Sequence, residues 1–158
     1  MRRRQLFACL ASLGLVGGAV AATDSAARIT PLRLSDAEWK KRLTPFQYRV
    51  LRKEATEAPH SSVLNHEKRP GIYQCAGCEL PLFASDAKYD SGTGWPSFFR
   101  ALPDAVNTKT DFALIFPRTE YHCARCQGHQ GHVFKDGPAP TGKRYCNNGV
   151  ALNFVAAS

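Results

Sequence analysis

Methionine is almost missing from this chain of 158 residues, the single one being Met1. That scarcity suits a protein that lives with oxidants, because methionine sulfoxide is a common oxidative lesion. No apolar run reaches the roughly 18 residues of a membrane-spanning helix, which excludes an integral helical membrane protein. Charged residues are only 22% of the chain, too few for a disordered polyelectrolyte. Acidic side chains number 13 against 21 lysines and arginines, yet the basic ones are scattered. No dense stripe marks a nucleic-acid footprint. Low-complexity tracts and long internal repeats are absent too, which excludes a solenoid. A chain of this size forms one ordinary domain and buries roughly 68–70% of its extended surface, enough for its own core.

Part of the basic excess sits at the start. Arg2, Arg3 and Arg4 precede an apolar stretch from Leu6 to Val20 that exits through Ala19-Val20-Ala21. A basic head, a short apolar middle and a small-x-small exit describe a secretory signal, cleaved after Ala21. Gly14, Gly17 and Gly18 argue against an ordinary helix there. Arg3-Arg4-Gln5-Leu6-Phe7 also resembles a twin-arginine signal, which implies export of a folded protein. The expectation is therefore a cleaved signal over 1–21, a linker over 22–33 and a single domain over 34–158, working in the periplasm. Removing the signal lowers the net charge from +8 to +5.

Ser35-Asp36-Ala37-Glu38 matches a capping box and opens a short helix through about Leu43. Thr44-Pro45-Phe46-Gln47 is a second, with proline at the favoured first helical position. Phe46, Val50 and Leu51 then share one face of a helix ending near Glu54. Beyond Pro59, short β-rich segments alternate with turn residues, as at Ala113–Phe116, Thr119–His122, His132–Phe134 and Val150–Phe154. Two helices leading into an antiparallel β domain is the architecture this implies. Strand order is not legible.

Of six cysteines, Cys9 leaves with the signal. Cys75-Ala76-Gly77-Cys78 and Cys123-Ala124-Arg125-Cys126 are paired Cys-x-x-Cys turns, each following a strand end, Ile72-Tyr73-Gln74 and Tyr121-His122. Two such turns complete a closed tetrahedral site for one structural Zn²⁺. Disulfides are the alternative in an exported protein, but a bridge across three residues constrains the unfolded chain little. Cys146 is left without a partner, either buried and inert or reactive, with Lys143 and Arg144 beside it to favour thiolate.

His129-Gln130-Gly131-His132 offers two imidazoles that can carry protons near neutral pH. They could equally be surface histidines or metal ligands, though four cysteines make a ligand role unnecessary and the helical His-x-x-x-His pair is absent. In Ser91-Gly92-Thr93-Gly94-Trp95-Pro96-Ser97-Phe98-Phe99 the glycines allow tight turns. Trp95 belongs to the core on general grounds, or else walls a small apolar pocket.

Taken together, these pieces resemble the B-type methionine sulfoxide reductases, which reduce the R epimer of methionine sulfoxide. The matching segments are Cys75–Cys78 with Leu82-Phe83, Ser91–Phe98, Cys123–Cys126 and Gly128–Phe134. They continue with Asp136-Gly137-Pro138, Pro140-Thr141-Gly142, Arg144-Tyr145-Cys146-Asn147-Asn148 and Leu152-Asn153-Phe154. Upstream, the likeness reaches through Thr56-Glu57-Ala58-Pro59, so it covers about Leu34 to Phe154. The resemblance implies a mainly β fold of two antiparallel sheets (a β-tent, Mss4-like) with two or three short N-terminal helices. A shallow site opens between the sheets and the zinc braces the far side. It makes Cys146 the nucleophile, places His129, His132, Asn148 and Trp95 around the substrate, and assigns Cys75, Cys78, Cys123 and Cys126 to the metal. The implied partners are oxidised proteins or peptides and a thioredoxin-like or small-thiol reductant, with no nucleic acid, no stable membrane insertion and a monomeric state.

Two departures stand out. Many members carry a recycling cysteine where this chain has Thr93, and the usual serine after the asparagine is Gly149. With no second redox thiol, a sulfenic acid on Cys146 has to be reduced by an external thiol. The rival from another class is a non-catalytic zinc-ribbon binding module, which would be indifferent to Cys146. A zinc hydrolase built on the two histidines requires an open coordination position that four cysteines do not leave.

Overall fold

The computed structural model describes residues 29–112 and 116–158. The expected signal and most of the expected linker lie outside them. Two helices come first, α1 (Asp36–Arg42) and α2 (Pro45–Lys53). Both open on the expected capping boxes: the Ser35 hydroxyl accepts from the Glu38 amide and the Thr44 hydroxyl from that of Gln47. Each acidic or amide side chain reaches back to the cap amide, so two otherwise orphaned donors are satisfied per helix. α2 ends at Glu54, which takes the left-handed conformation at φ 57°. Its buried face is Tyr48, Val50 and Leu51, whereas Phe46 is 37% exposed. Phe46 sits in the first turn, rotated off the stripe that faces the sheet.

Among the described residues nine strands follow: β1 (Gly71–Cys75), β2 (Pro81–Ala84), β3 (Lys88–Tyr89), β4 (Ser97–Phe98), β5 (Val106–Asp111), β6 (Arg118–Cys123), β7 (His129–Phe134), β8 (Arg144–Asn147) and β9 (Leu152–Ala156). They form a three-stranded sheet in the order β2-β1-β9 and a six-stranded sheet in the order β3-β4-β8-β7-β6-β5. All the pairings are antiparallel. The segments expected at Thr119–His122 and His132–Phe134 lie within β6 and β7. The one expected at Val150–Phe154 begins later, because Gly149–Ala151 forms a 3₁₀ turn first. The one expected at Ala113–Phe116 falls mostly outside the described residues, and Phe116 itself is in neither neighbouring strand.

Aromatic rings fill the seam between the sheets. Phe83 of β2 stacks on Phe98 of β4 with ring centroids 4.2 Å apart, and Tyr73 of β1 meets the same Phe98 edge-on at 4.9 Å. Tyr121 of β6 joins Tyr145 of β8 at 5.2 Å. Tyr73, Phe83, Phe98 and Tyr121 are fully buried, so the seam is packed core. Side chains alternate along a strand. With Tyr145 turned into the seam, its neighbours Arg144 and Cys146 project from the opposite face of the large sheet.

Candidate active site

The site therefore opens on the outer face of the six-stranded sheet and not between the two sheets. A cavity of about 300 Å³ is walled by Cys146, His132, Trp95, Phe134, Thr93 and Arg144, among others. Backbone register builds it. In the β7–β8 ladder His132 pairs directly with Cys146, and in the β4–β8 ladder Ser97 pairs with the same cysteine. Directly paired residues share a face with Cβ atoms roughly 4.5–5.5 Å apart. Gly131 allows the close approach: a Cβ there would lie 1.9 Å from the Cys146 carbonyl oxygen.

Cys146 is a half-buried free thiol. Burial pushes its pKa up, opposed by the Arg144 charge and by hydrogen bonds from Thr93 and Arg144. Arg144 is itself held by Asp136, to which Nε and a terminal nitrogen donate at 2.9 and 2.8 Å. The cationic neighbour read from the sequence is thus in place, but burial outweighs it in the resting thiol. Lys143 is exposed and does not line the cavity.

His132 donates from Nε2 to Asp111 Oδ2 at 2.7 Å, which leaves Nδ1 with its lone pair in the neutral ring. Burial lowers the imidazole pKa and the Asp111 hydrogen bond acts the other way. Arg118 also donates to Asp111 Oδ2, at 2.7 Å. Asp111 and Arg118 carry no motif signal in the sequence and reach the site through β5–β6 pairing, whereas Thr93, already marked by the resemblance, reaches it on the glycine-rich loop.

Trp95 is a wall of the cavity, its indole N–H donating to the Glu57 carbonyl at 3.1 Å. Asn148 also lines it, but both ends of its amide are engaged with backbone. Oδ1 accepts from the Glu57 amide at 2.9 Å and Nδ2 donates to the Gln130 carbonyl at 3.0 Å. Asn148 is thus a strut that joins the 57 region to β7. Glu57, passed over as a site residue at the level of sequence, is buried and anchors this corner. Its carboxylate accepts the amides of Gly149 at 2.6 Å and Val150 at 3.0 Å. The departure at Gly149 has a steric reason here, since a Cβ would sit 1.9 Å from the Ser62 hydroxyl.

His129 does not line the cavity. It lies 3% exposed behind His132, with ring centroids 5.7 Å apart, and it faces a separate polar cavity shared with Glu120 and Lys109. Its Nδ1 donates to Glu120 Oε1 at 2.8 Å. Only one of the two histidines is thus brought to the cysteine.

The paired turns converge at the ends of β1 and β6. Cys75 Sγ lies 3.6 Å from Cys126 Sγ, and Cys78 Sγ 3.4 Å from Cys123 Sγ. All four sulfurs fall within 4.8 Å of one another and are buried and unbridged. A disulfide requires about 2.05 Å, so this is a four-thiol cage able to hold a metal ion. Hydrogen bonding among the thiols favours thiolate at Cys78 and Cys123 and the protonated form at Cys75 and Cys126. Gln130 donates to Cys75 Sγ at 3.4 Å and accepts from Asn147, the residue after Cys146, at 3.4 Å.

Residues 43–156 match the SelR domain. The peptide methionine sulfoxide reductase MsrB of Methanosarcina barkeri is 55% identical over 121 residues, covering 76% of this chain and 85% of its own. That of Bradyrhizobium diazoefficiens is 53% identical over 119 residues, covering 75% and 86%. The chloroplastic peptide methionine sulfoxide reductase B1 of Arabidopsis thaliana is 52% identical over 124 residues, covering 78% of this chain and 61% of the plant protein. Matched over most of its length by the SelR domain and by these relatives, the chain belongs to the SelR-domain family of MsrB methionine sulfoxide reductases.

Proposed function

We propose that this protein reduces the R epimer of methionine sulfoxide in peptides and proteins, with Cys146 as nucleophile and His132 as proton donor. The carrying observation is the direct cross-strand pairing of Cys146 with His132 in a cavity walled by Trp95 and Phe134. The aromatic wall takes the sulfoxide's methyl group. The Cys146 proton passes to His132, whose imidazolium is stabilised by Asp111. The thiolate attacks the sulfoxide sulfur while His132 returns the proton to the oxygen. Oxygen then transfers to Cys146 as the S–O bond of the substrate breaks. The substrate gains two electrons and leaves as methionine; Cys146 loses two and becomes a sulfenic acid.

Thr93 stands where a recycling thiol would otherwise be, so two external thiols, from a thioredoxin-like protein or a small-molecule thiol, regenerate Cys146 and release water and a disulfide. The cage of Cys75, Cys78, Cys123 and Cys126 suits Zn²⁺. A Zn–S bond of about 2.3 Å implies tetrahedral S···S edges of about 3.8 Å, close to the observed separations. When bound, the ion supplies a brace between the ends of the two sheets, and Gln130 carries that support to the strand bearing Cys146. The basic and apolar pattern of residues 2–21 supports export and work in the periplasm.

The test is turnover of the two separated epimers of a peptide methionine sulfoxide with dithiothreitol, run with the mature wild type and Cys146→Ser. Reduction of the R epimer alone, abolished in the variant, is expected. No turnover by metal-loaded, fully reduced protein would replace the enzyme reading with a zinc-ribbon binding module.

A further inference from the structure

Three hydroxyls lie in line beside Cys146. Ser97 pairs with Cys146 in the β4–β8 ladder and is fully buried. Its Oγ lies 2.7 Å from that of Ser91, which in turn lies 2.8 Å from Oγ1 of Thr93. Gly92, at φ 70°, turns the loop so that these two side chains meet. Thr93 walls the cavity and hydrogen-bonds the Cys146 sulfur.

Counting hydrogens fixes the direction of this chain. Each hydroxyl has one proton to donate, and a carbonyl only accepts. Ser97 donates to the Trp95 carbonyl at 3.1 Å, so it is Ser91 that donates to Ser97. The Ser91 proton is then in use, and Thr93 donates to Ser91. Thr93 has no proton left for sulfur and accepts the one on the Cys146 thiol. A thiolate has no proton to give. For Thr93 to bond it, all three hydroxyls turn round: Ser97 donates to Ser91, Ser91 to Thr93 and Thr93 to sulfur. The reversal needs only rotation about C–O bonds. It gives up the bond to the Trp95 carbonyl, the longest of the three measured.

We propose that Ser91 and Ser97 are positioning residues that hold Thr93 for the Cys146 sulfur, through a chain whose direction reverses when the thiol ionises. At rest the thiol proton points to Thr93. When that proton passes to His132, the chain turns and Thr93 stabilises the thiolate. Donation along a chain strengthens each bond in turn, so Thr93 backed by Ser91 and Ser97 is a better donor than Thr93 alone. The consequence for turnover rests on the reductase reading above, whereas the effect on ionisation does not. Arg144, Asp136, His132, Arg118, Tyr89 and Tyr121 also face Cys146, and all six are kept in the variants below.

The experiment follows iodoacetamide labelling of Cys146 against pH in metal-loaded mature protein, read from the mass of the Cys146 peptide. The variants are Thr93→Val, Thr93→Ser, Ser91→Ala and the double variant Ser91→Ala/Thr93→Val. Thr93→Val keeps the shape without the hydroxyl and should raise the midpoint by about one pH unit, a roughly tenfold loss of thiolate at neutral pH. Thr93→Ser, the least disturbing change, should keep the wild-type midpoint. Ser91→Ala should raise it by about half a unit when Thr93 is present. Beside Thr93→Val it should add nothing, because Ser91 acts only through Thr93. Equal shifts from Ser91→Ala in both backgrounds would show a general loosening of the loop and overturn the proposal. A Thr93→Val or Ser91→Ala midpoint at or below that of the wild type would overturn it as well. Both positions are partly exposed, and circular dichroism melts verify the fold of each variant. Midpoints as expected without turnover of the R epimer would remove the reductase reading and keep the chain; normal turnover with unmoved midpoints would do the reverse.

Discussion

His132 and Cys146, 14 positions apart in the chain, face each other as a direct pair across β7 and β8. That one rung puts a proton carrier beside a thiol, and Asp111 behind the imidazole completes a cysteine–histidine–carboxylate line. His129, only three residues from His132, sits further along the same face of the sheet across a bulge, away from the cysteine and bonded to Glu120.

The two histidines should therefore separate kinetically. His132→Gln is expected to lower kcat on the R epimer by roughly 10²–10⁴, the span of general acid–base catalysis. His129→Gln should act chiefly on stability, because it breaks a buried pair with Glu120. Steady-state kinetics and thermal melts of both variants decide this, and a larger kcat loss at His129 would invert the assignment.

Cys146 reactivity should climb with pH further than for an exposed thiol. Burial raises its pKa, so the thiol form persists through neutrality and thiolate accumulates on the alkaline side. Arg144→Met removes the opposing charge and should move the midpoint higher still. A midpoint higher by about one pH unit makes the reaction at neutral pH roughly tenfold slower. Iodoacetamide labelling of Cys146 against pH measures both midpoints; an Arg144→Met midpoint at or below that of the wild type would contradict the electrostatic account.

Thr93 shares the cavity with Cys146 and hydrogen-bonds its sulfur. Thr93→Cys should consequently turn a one-cysteine cycle into an internal one. After one turnover without reductant, the wild type should carry a dimedone-reactive sulfenic acid on Cys146. The variant should instead carry a disulfide between its introduced thiol and Cys146, visible as a mass lower by two hydrogens. An internal disulfide on Cys146 in the mature wild type would refute the external-thiol step.

Metal removal should unfold the chain as well as inactivate it. Structural Zn²⁺ in small domains contributes about 10–16 kcal/mol, comparable to the whole stability of a typical domain, about 5–15 kcal/mol. Elemental analysis should find one zinc per chain, and chelation or Cys123→Ser should abolish the cooperative melt seen by circular dichroism. A metal-free protein with an unchanged melt would show that the aromatic seam suffices.

The helices were legible residue by residue, because a capping box is a contact between positions three apart and needs no other part of the fold. The paired Cys-x-x-Cys turns were legible for the same reason: each knuckle is local, and the doubled spacing implies a shared ligand. Trp95 was open between core and pocket, and the choice turned on where its loop packs. Asn148 was expected to orient the site and does so only as a strut, since Gln130 and Glu57 take both ends of its amide. Asp111 gave no signal, and Glu57 none beyond its place in the matching Thr56–Pro59 segment, their partners being more than 20 residues away or on another strand.

By itself, then, the sequence determined the two capped helices, the four-thiol set, the lone Cys146 and the family resemblance. These are matters of local spacing and residue chemistry, or of ordered motifs. The tertiary structure decided which histidine meets the cysteine, which face of the sheet carries the site, and what anchors Asn148. Those outcomes depend on strand register, and a shift of one residue would turn each side chain to the opposite face.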